Sequence, residues 1–354
     1  MQKERIKKIV DSYWKFSGQK SANILYFSEE KPFEKDIPAF SDAEINQSYL
    51  KDNKKWGHPE FLCSYYGNIS IEPDYGYCIS GYRNIIRDSV FYPGVKPSLP
   101  RFLNSFFNKR TTLESAVVFD GKVGLNYFHF FSDVFHKLFL LENFPEIKDL
   151  PLIVGEDVFN KKYFQFFYSL PEIKALNWKV QKKGEYISSK EVFLLHPLPY
   201  KYEYYGRIRE LVLGKTKHKP ERNVFLTRSK EKGRNISNFD EISPVLKEFG
   251  FELIDTNNME LNEQASIFSN SKHLIALHGA GITNIIFSQP TLRLLELMPA
   301  DRMACHYYWL AKSLGIEYYD VITGDALEQN PVSKNGMFRL DPVKFKDALK
   351  RLIV

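Results

Sequence analysis

From about residue 222 onwards, short runs rich in Val, Ile and Leu alternate with longer amphipathic segments, and no other feature restricts the fold as strongly. A short run that is apolar throughout fits a strand buried on both faces, and the amphipathic segments between such strands supply the covering layers. The outcome is a parallel sheet wrapped by helices. The sequence predicts strands over 223–227, 251–255, 273–277, 293–298 and 316–321, and helices over 240–249, 261–270 and 303–314. A further helix starts at 281–287, and Gly250 stands where a helix stop is expected. Together these elements form one doubly wound domain.

The N-terminal half shows the same alternation less clearly. A strand at 115–120, a strongly apolar helix at 128–143 and a short strand at 152–155 indicate a second α/β unit, whereas residues 1–110 carry no readable pattern. Between the halves, residues 195–205 break the periodicity with two prolines and four tyrosines. We therefore expect domains at 1–205 and 206–354, with the closing amphipathic helix at 341–352 able to pack back on the N-terminal domain.

At 354 residues, 44% hydrophobic and 26% charged, the chain can bury a core in each domain. The net charge of +6 favours anionic partners: nucleotide phosphates, an acidic polysaccharide or a membrane surface. Its basic residues are dispersed and no nucleic-acid motif occurs, so no nucleic acid is expected. Cys63, Cys78 and Cys305 are odd in number and too scattered for a zinc site or a disulfide framework. The basic first ten residues lead into no apolar stretch of a signal peptide, and nothing approaches the roughly 20 apolar residues of a membrane span. These features point to the cytosol, with the N-terminus able to hold the chain at an anionic inner leaflet. Three Asn-x-Ser acceptor patterns, at Asn46, Asn68 and Asn235, carry no weight without a route to secretion.

The most informative stretch is His278-Gly279-Ala280-Gly281-Ile282-Thr283-Asn284. Two glycines follow a buried strand at once and the chain then enters a helix. A helix N-terminus offers unpaired N–H groups and the positive end of its dipole, and glycine lets a phosphate approach the backbone. The plainer reading is a tight turn with Thr283 or Asn284 as cap. Glu296, near the end of the next predicted strand, is placed to accept hydrogen bonds from ribose hydroxyls. Arg228 follows the first strand of this half, with Lys230 and Arg234 behind it, and an arginine there suits the charge of a departing diphosphate.

A second constellation lies in Asn126-Tyr127-Phe128-His129-Phe130-Phe131-Ser132-Asp133. On a helix His129 and Asp133 share a face, and Asn126 is a suitable N-cap. A carboxylate that fixes the tautomer of an imidazole makes it a competent base for a hydroxyl. The alternatives stay open: an aromatic core helix with a satisfied His–Asp pair, or Asp133 as base with His129 binding the acceptor. His136, on nearly the same face, adds ambiguity.

These pieces, together with Leu226-Thr227-Arg228-Ser229, Glu263-Gln264, Phe268-Ser269, Phe287, Leu295-Glu296-Leu297 and Pro299, resemble glycosyltransferase family 61 over roughly residues 115–320. The resemblance implies a GT-B fold, in which two Rossmann-like domains face each other across a cleft. It also implies inverting transfer from a nucleotide sugar, commonly a UDP sugar, to a glycan or lipid-linked glycan in capsule or surface polysaccharide synthesis. The chain departs from the family where a doubled arginine is common, offering Arg234 alone. On this reading His129 and Asp133 are catalytic and Asn126 positions the acceptor. Arg228, Arg234, His278, Gly279, Ala280, Gly281, Thr283, Asn284 and Glu296 bind the donor, and no metal or other cofactor is required. Two rivals are a nicotinamide-dependent oxidoreductase, which lacks its third glycine because position 284 is Asn, and a non-catalytic glycan-binding module.

Overall fold

A computed structural model describes residues 13–17, 22–31, 45, 59–92, 94–107, 110–215, 218–227, 235–300, 304–326 and 337–354. The chain divides into two compact units, the first built around His58–Pro199 and the second around Tyr200–Val354. The boundary expected at 205 falls inside the helix Tyr202–Leu213, so the break lies earlier, where the two prolines end and Tyr200 adopts a φ of 60°. None of the described helices is long and apolar enough to cross a membrane.

The first unit carries β1 (Lys15–Ser17), β2 (Asn23–Ser28), β3 (Glu60–Ile71), β4 (Cys78–Ser80), β5 (Asn84–Ile86), β6 (Thr111–Asp120), β7 (Leu152–Gly155), β8 (Trp178–Gln181) and β9 (Ile187–His196). They form one mixed sheet in the order β1-β5-β4-β3-β9-β6-β7-β8, with β2 beside β3. β9, β6, β7 and β8 run parallel, and β3 joins β9 antiparallel. The parallel part is wound outward from β6 to β7 to β8, and the chain then returns to place β9 on the other side of β6. The strand order therefore reverses between β6 and β9, the kind of crevice where open α/β sheets bind their ligands.

The abundance of Phe in this half has a packing explanation. Phe130 and Phe135 meet Phe167 at ring-centroid distances of 6.2 and 4.1 Å, and Phe119 meets Trp178 at 5.0 Å, forming an aromatic layer between helices and sheet. At the ends of β6 and β7 the backbones nearly touch. A Cβ on Gly121 would lie 2.2 Å from the amide nitrogen of Gly76, and one on Gly155 would lie 2.4 Å from the carbonyl oxygen of Gly121.

The second unit holds β10 (Arg222–Leu226), β11 (Glu252–Ile254), β12 (Ser271–Leu277), β13 (Arg293–Pro299), β14 (Tyr318–Ala326) and β15 (Phe338–Arg339). Its sheet runs β11-β10-β12-β13-β14-β15, parallel except for the last pair. The doubly wound expectation holds here, with an antiparallel edge strand that the sequence reading lacks. One face buries Phe225, Ile275, Leu277, Leu295 and Ile322 under the helices Phe239–Glu248 and Pro342–Ile353. The closing helix places its apolar side chains Phe345, Ala348, Leu349 and Leu352 within the core of the second unit. β10 connects onward to β11 and β12 to β13, in opposite directions, so this sheet too has a switch point, between β10 and β12.

Gly121→Ala is expected to cost about 1–3 kcal/mol in denaturant unfolding, because backbone has to give way. Gly206→Ala, inside the helix Tyr202–Leu213 with nothing within 4 Å of the new methyl, should instead gain about 0.5–1 kcal/mol. Equal effects of the two would refute the close approach.

Candidate functional site

In the second unit the chain leaves β12 at Leu277 and enters a 3₁₀ helix, Ala280–Phe287, rather than the α-helix expected from 281. The turn is tight: the Ile282 amide bonds the Gly279 carbonyl at 2.9 Å, and a Cβ on Gly281 would meet Leu226 at 2.9 Å. Neither Thr283 nor Asn284 caps the turn, and both are buried. The Asn284 amide instead donates to Gln264 on the helix Leu261–Ser269 at 2.9 Å, tying the loop to the layer beside it. Gly279, Ala280 and Gly281 thus stand at the C-terminal end of β12, next to the end of β10, at the switch point of this sheet. Arg228 and Arg234 lie outside the described residues.

Glu296 is placed differently from the open strand-end carboxylate that the sequence suggests. It is wholly buried in the middle of β13, paired with Ala276 of β12, and one oxygen lies 2.6 Å from Nδ1 of His278. The other accepts the Tyr319 hydroxyl. A buried carboxylate held in this way fixes the orientation of the His278 imidazole. His306 and Tyr307 pack edge-on against the same ring, each with a centroid distance of 5.2 Å. Sequence reading missed Tyr319, since nothing in its local pattern marks it; only the parallel register of β13 and β14 brings it to Glu296.

In the first unit the predicted helix is present but interrupted: one α-turn at Tyr127–His129, a π-turn at Phe130–Val134 and an α-helix at His136–Leu141. Asn126 caps it as expected, accepting the Phe128 amide at 2.9 Å. His129 and Asp133 are paired, Nδ1 to Oδ2 at 2.9 Å, with about a quarter of each side chain exposed. Ser132 donates to the same carboxylate oxygen at 2.5 Å, leaving the pair held and reachable. His136 is not part of this group: it is fully buried, and burial pushes its pKa down to about 3, so it is a neutral core residue.

Two further residues gather here without having been anticipated. Asp120, at the buried end of β6, accepts the Gly124 amide at 2.9 Å, and burial raises its carboxyl to about 6 against the pull of Lys137 and the surrounding backbone amides. Lys137, one turn beyond Asp133, donates to the Phe119 carbonyl at 2.6 Å and is lowered by burial, while Asp120 and Asp133 oppose that shift. The spacing Asp133 to Lys137 was visible in sequence as an i,i+4 pair. The nearness of Asp120 depends on the sheet and was not.

Residues 127–295, the segment that holds His129, Asp133 and the 278–284 loop, match the family described as Glycosyltransferase 61. Among curated proteins the chain is similar to the beta-1,2-xylosyltransferase XAX1 of Oryza sativa subsp. japonica, 26% identical over 146 residues. That match takes in 40% of this chain and 25% of the rice protein. It is also similar to the EGF domain-specific O-linked N-acetylglucosamine transferase of Xenopus laevis, 35% identical over 109 residues, covering 29% of this chain and 20% of the frog protein. The matched stretch thus spans a quarter or less of either relative.

The burial of His136 has a consequence for acid stability. With a folded pKa near 3 and an unfolded value near 6.5, the unfolded chain binds the extra proton between those limits. Stability should therefore fall as pH drops from 6.5 towards 3, by up to about 1.4 kcal/mol per pH unit from this residue. His136→Leu is expected to flatten that slope in urea titrations at successive pH values; an unchanged slope would mean the imidazole titrates normally.

Proposed function

We propose that the protein is an inverting, metal-independent glycosyltransferase that moves a sugar from a nucleotide donor, commonly a UDP sugar, to a hydroxyl of a glycan acceptor. The observation that carries this reading is that one family-matched segment, residues 127–295, contains both an oriented imidazole–carboxylate pair and a glycine turn at a sheet's switch point. The names of the relatives, a xylosyltransferase and an N-acetylglucosamine transferase, support sugar transfer as the reaction class.

In this reading the two units are the two Rossmann-like domains of a GT-B transferase. The donor diphosphate rests against the main-chain amides at Gly279, Ala280 and Gly281, with Arg228 and Arg234 on its oxygens. Glu296 acts through His278, holding its imidazole toward the phosphates. The acceptor hydroxyl attacks the anomeric carbon from the face opposite the leaving group. A C–O bond forms there as the bond to the diphosphate breaks, and the hydroxyl proton passes to Nε2 of His129, whose Nδ1 is held by Asp133. The departing diphosphate carries its negative charge into the amide nest. The acceptor enters from the first unit and belongs to surface or capsule polysaccharide synthesis at the inner face of a membrane.

A thermal-shift screen with UDP, GDP, CDP and CMP should raise the melting temperature with one nucleotide above the others, since a ligand that binds only the folded state stabilises it. In a transfer assay with that nucleotide's sugars, His129→Ala should lower kcat by roughly 10²–10⁴. EDTA should leave the wild-type rate unchanged. Complete loss of transfer in EDTA, or full activity in both His129→Ala and Asp133→Ala, contradicts the mechanism.

A further inference from the structure

At the C-terminal ends of β6 and β9, where the strand order of the first sheet reverses, a cavity of about 240 Å³ opens. At about 30 Å³ per water it holds roughly eight waters, room for one sugar ring and little more. Asp133, the partner of His129, forms part of its wall, as do Asp88, Asp120, Lys137, Tyr75 and Phe91. The carboxylates are held in place: Asp88 accepts the Tyr65 hydroxyl at 2.6 Å, Asp120 the Gly124 amide at 2.9 Å, and Asp133 both His129 and Ser132. Phe91 presents a partly exposed ring whose centroid is 5.1 Å from that of His129, so the proposed base packs against one residue of the wall and is paired with another, Asp133.

Three carboxylates against one ammonium make this wall acceptor-rich and locally negative, although the whole chain carries a net charge of +6. Sugar hydroxyls are donors that such acceptors satisfy, and the C–H face of a pyranose packs on a flat ring. A carboxylate or phosphate on the same ring would meet like charges in a half-enclosed space of low dielectric, an arrangement that selects against anionic ligands. We propose that this cavity seats the terminal ring of the acceptor and selects a neutral or amino sugar over a uronate or a phosphorylated sugar. That the bound ring is the acceptor's rests on the transferase reading; the cavity and its preference do not.

The test is saturation-transfer NMR on the full chain with paired ligands: methyl glucoside against methyl glucuronide, methyl galactoside against methyl galacturonide, and methyl xyloside alone. At least one neutral glycoside should bind in the millimolar range, with its uronate at least tenfold weaker. Phe91→Ala should abolish the neutral signal, and Asp88→Asn should narrow the neutral-to-uronate ratio severalfold, both variants melting within a few degrees of wild type. Uronates that bind as well as or better than their neutral partners, no binding by any neutral glycoside, or binding indifferent to Phe91→Ala would each overturn the proposal. Selective neutral binding in a protein that shows no transfer would leave the cavity standing and remove the transferase reading. Transfer that depends on His129 but prefers uronate acceptors would do the reverse.

Discussion

Parallel strands all deliver their C-terminal ends to one edge of a sheet, and where the winding reverses the flanking connections part and leave a crevice. Both units of this protein are built around that constraint. In the first, β6 and β9 end side by side at Asp120 and His196. In the second, β10 and β12 end at Leu226 and Leu277, next to the glycine turn. The rest of each fold serves to hold these edges. The aromatic layer around Phe130, Phe135 and Phe167 fixes the helix that carries His129. The Asn284–Gln264 bond fixes the turn that follows β12.

Each crevice has an imidazole held by a carboxylate, and the two pairs are assembled by different geometry. His129 and Asp133 are neighbours along one helical face, so their 2.9 Å contact follows from a spacing of four residues and survives the π-turn between them. His278 directly follows β12 and Glu296 lies within β13, and their 2.6 Å contact follows from the parallel register that pairs Ala276 with Glu296. The first pair is about one quarter exposed, suited to proton exchange with a ligand; the second is closed off, suited to holding a ring in one orientation.

That contrast also explains what could be read from the chain beforehand. The second unit's strands and helices were legible because continuous apolar runs of strand length alternate with amphipathic helices, and all five predicted strands are present to within a few residues. The first five strands were not legible: β1, β4 and β5 are three residues each, too short to show a period, and β3 owes its place to antiparallel pairing with distant β9. Local spacing revealed His129, Asp133 and the Asn126 cap. It did not show that Glu296 is buried, because a strand seen in isolation does not show which of its residues reach solvent, and it missed Asp120, which a helix packed on the sheet brings near Lys137, and Tyr319, which strand register brings to Glu296. The 3₁₀ form of Ala280–Phe287 was likewise hidden, since its close approach to Leu226 is a tertiary restraint.

The central claim is that a nucleoside diphosphate is held by main-chain amides directly after β12. Hydrogen–deuterium exchange on the full chain with and without UDP tests it most directly, because a bound anion slows exchange at the amides that contact it. The account predicts protection concentrated on peptides covering residues 278–287. Protection confined to other segments, with these amides exchanging at an unchanged rate while UDP is bound, would contradict it.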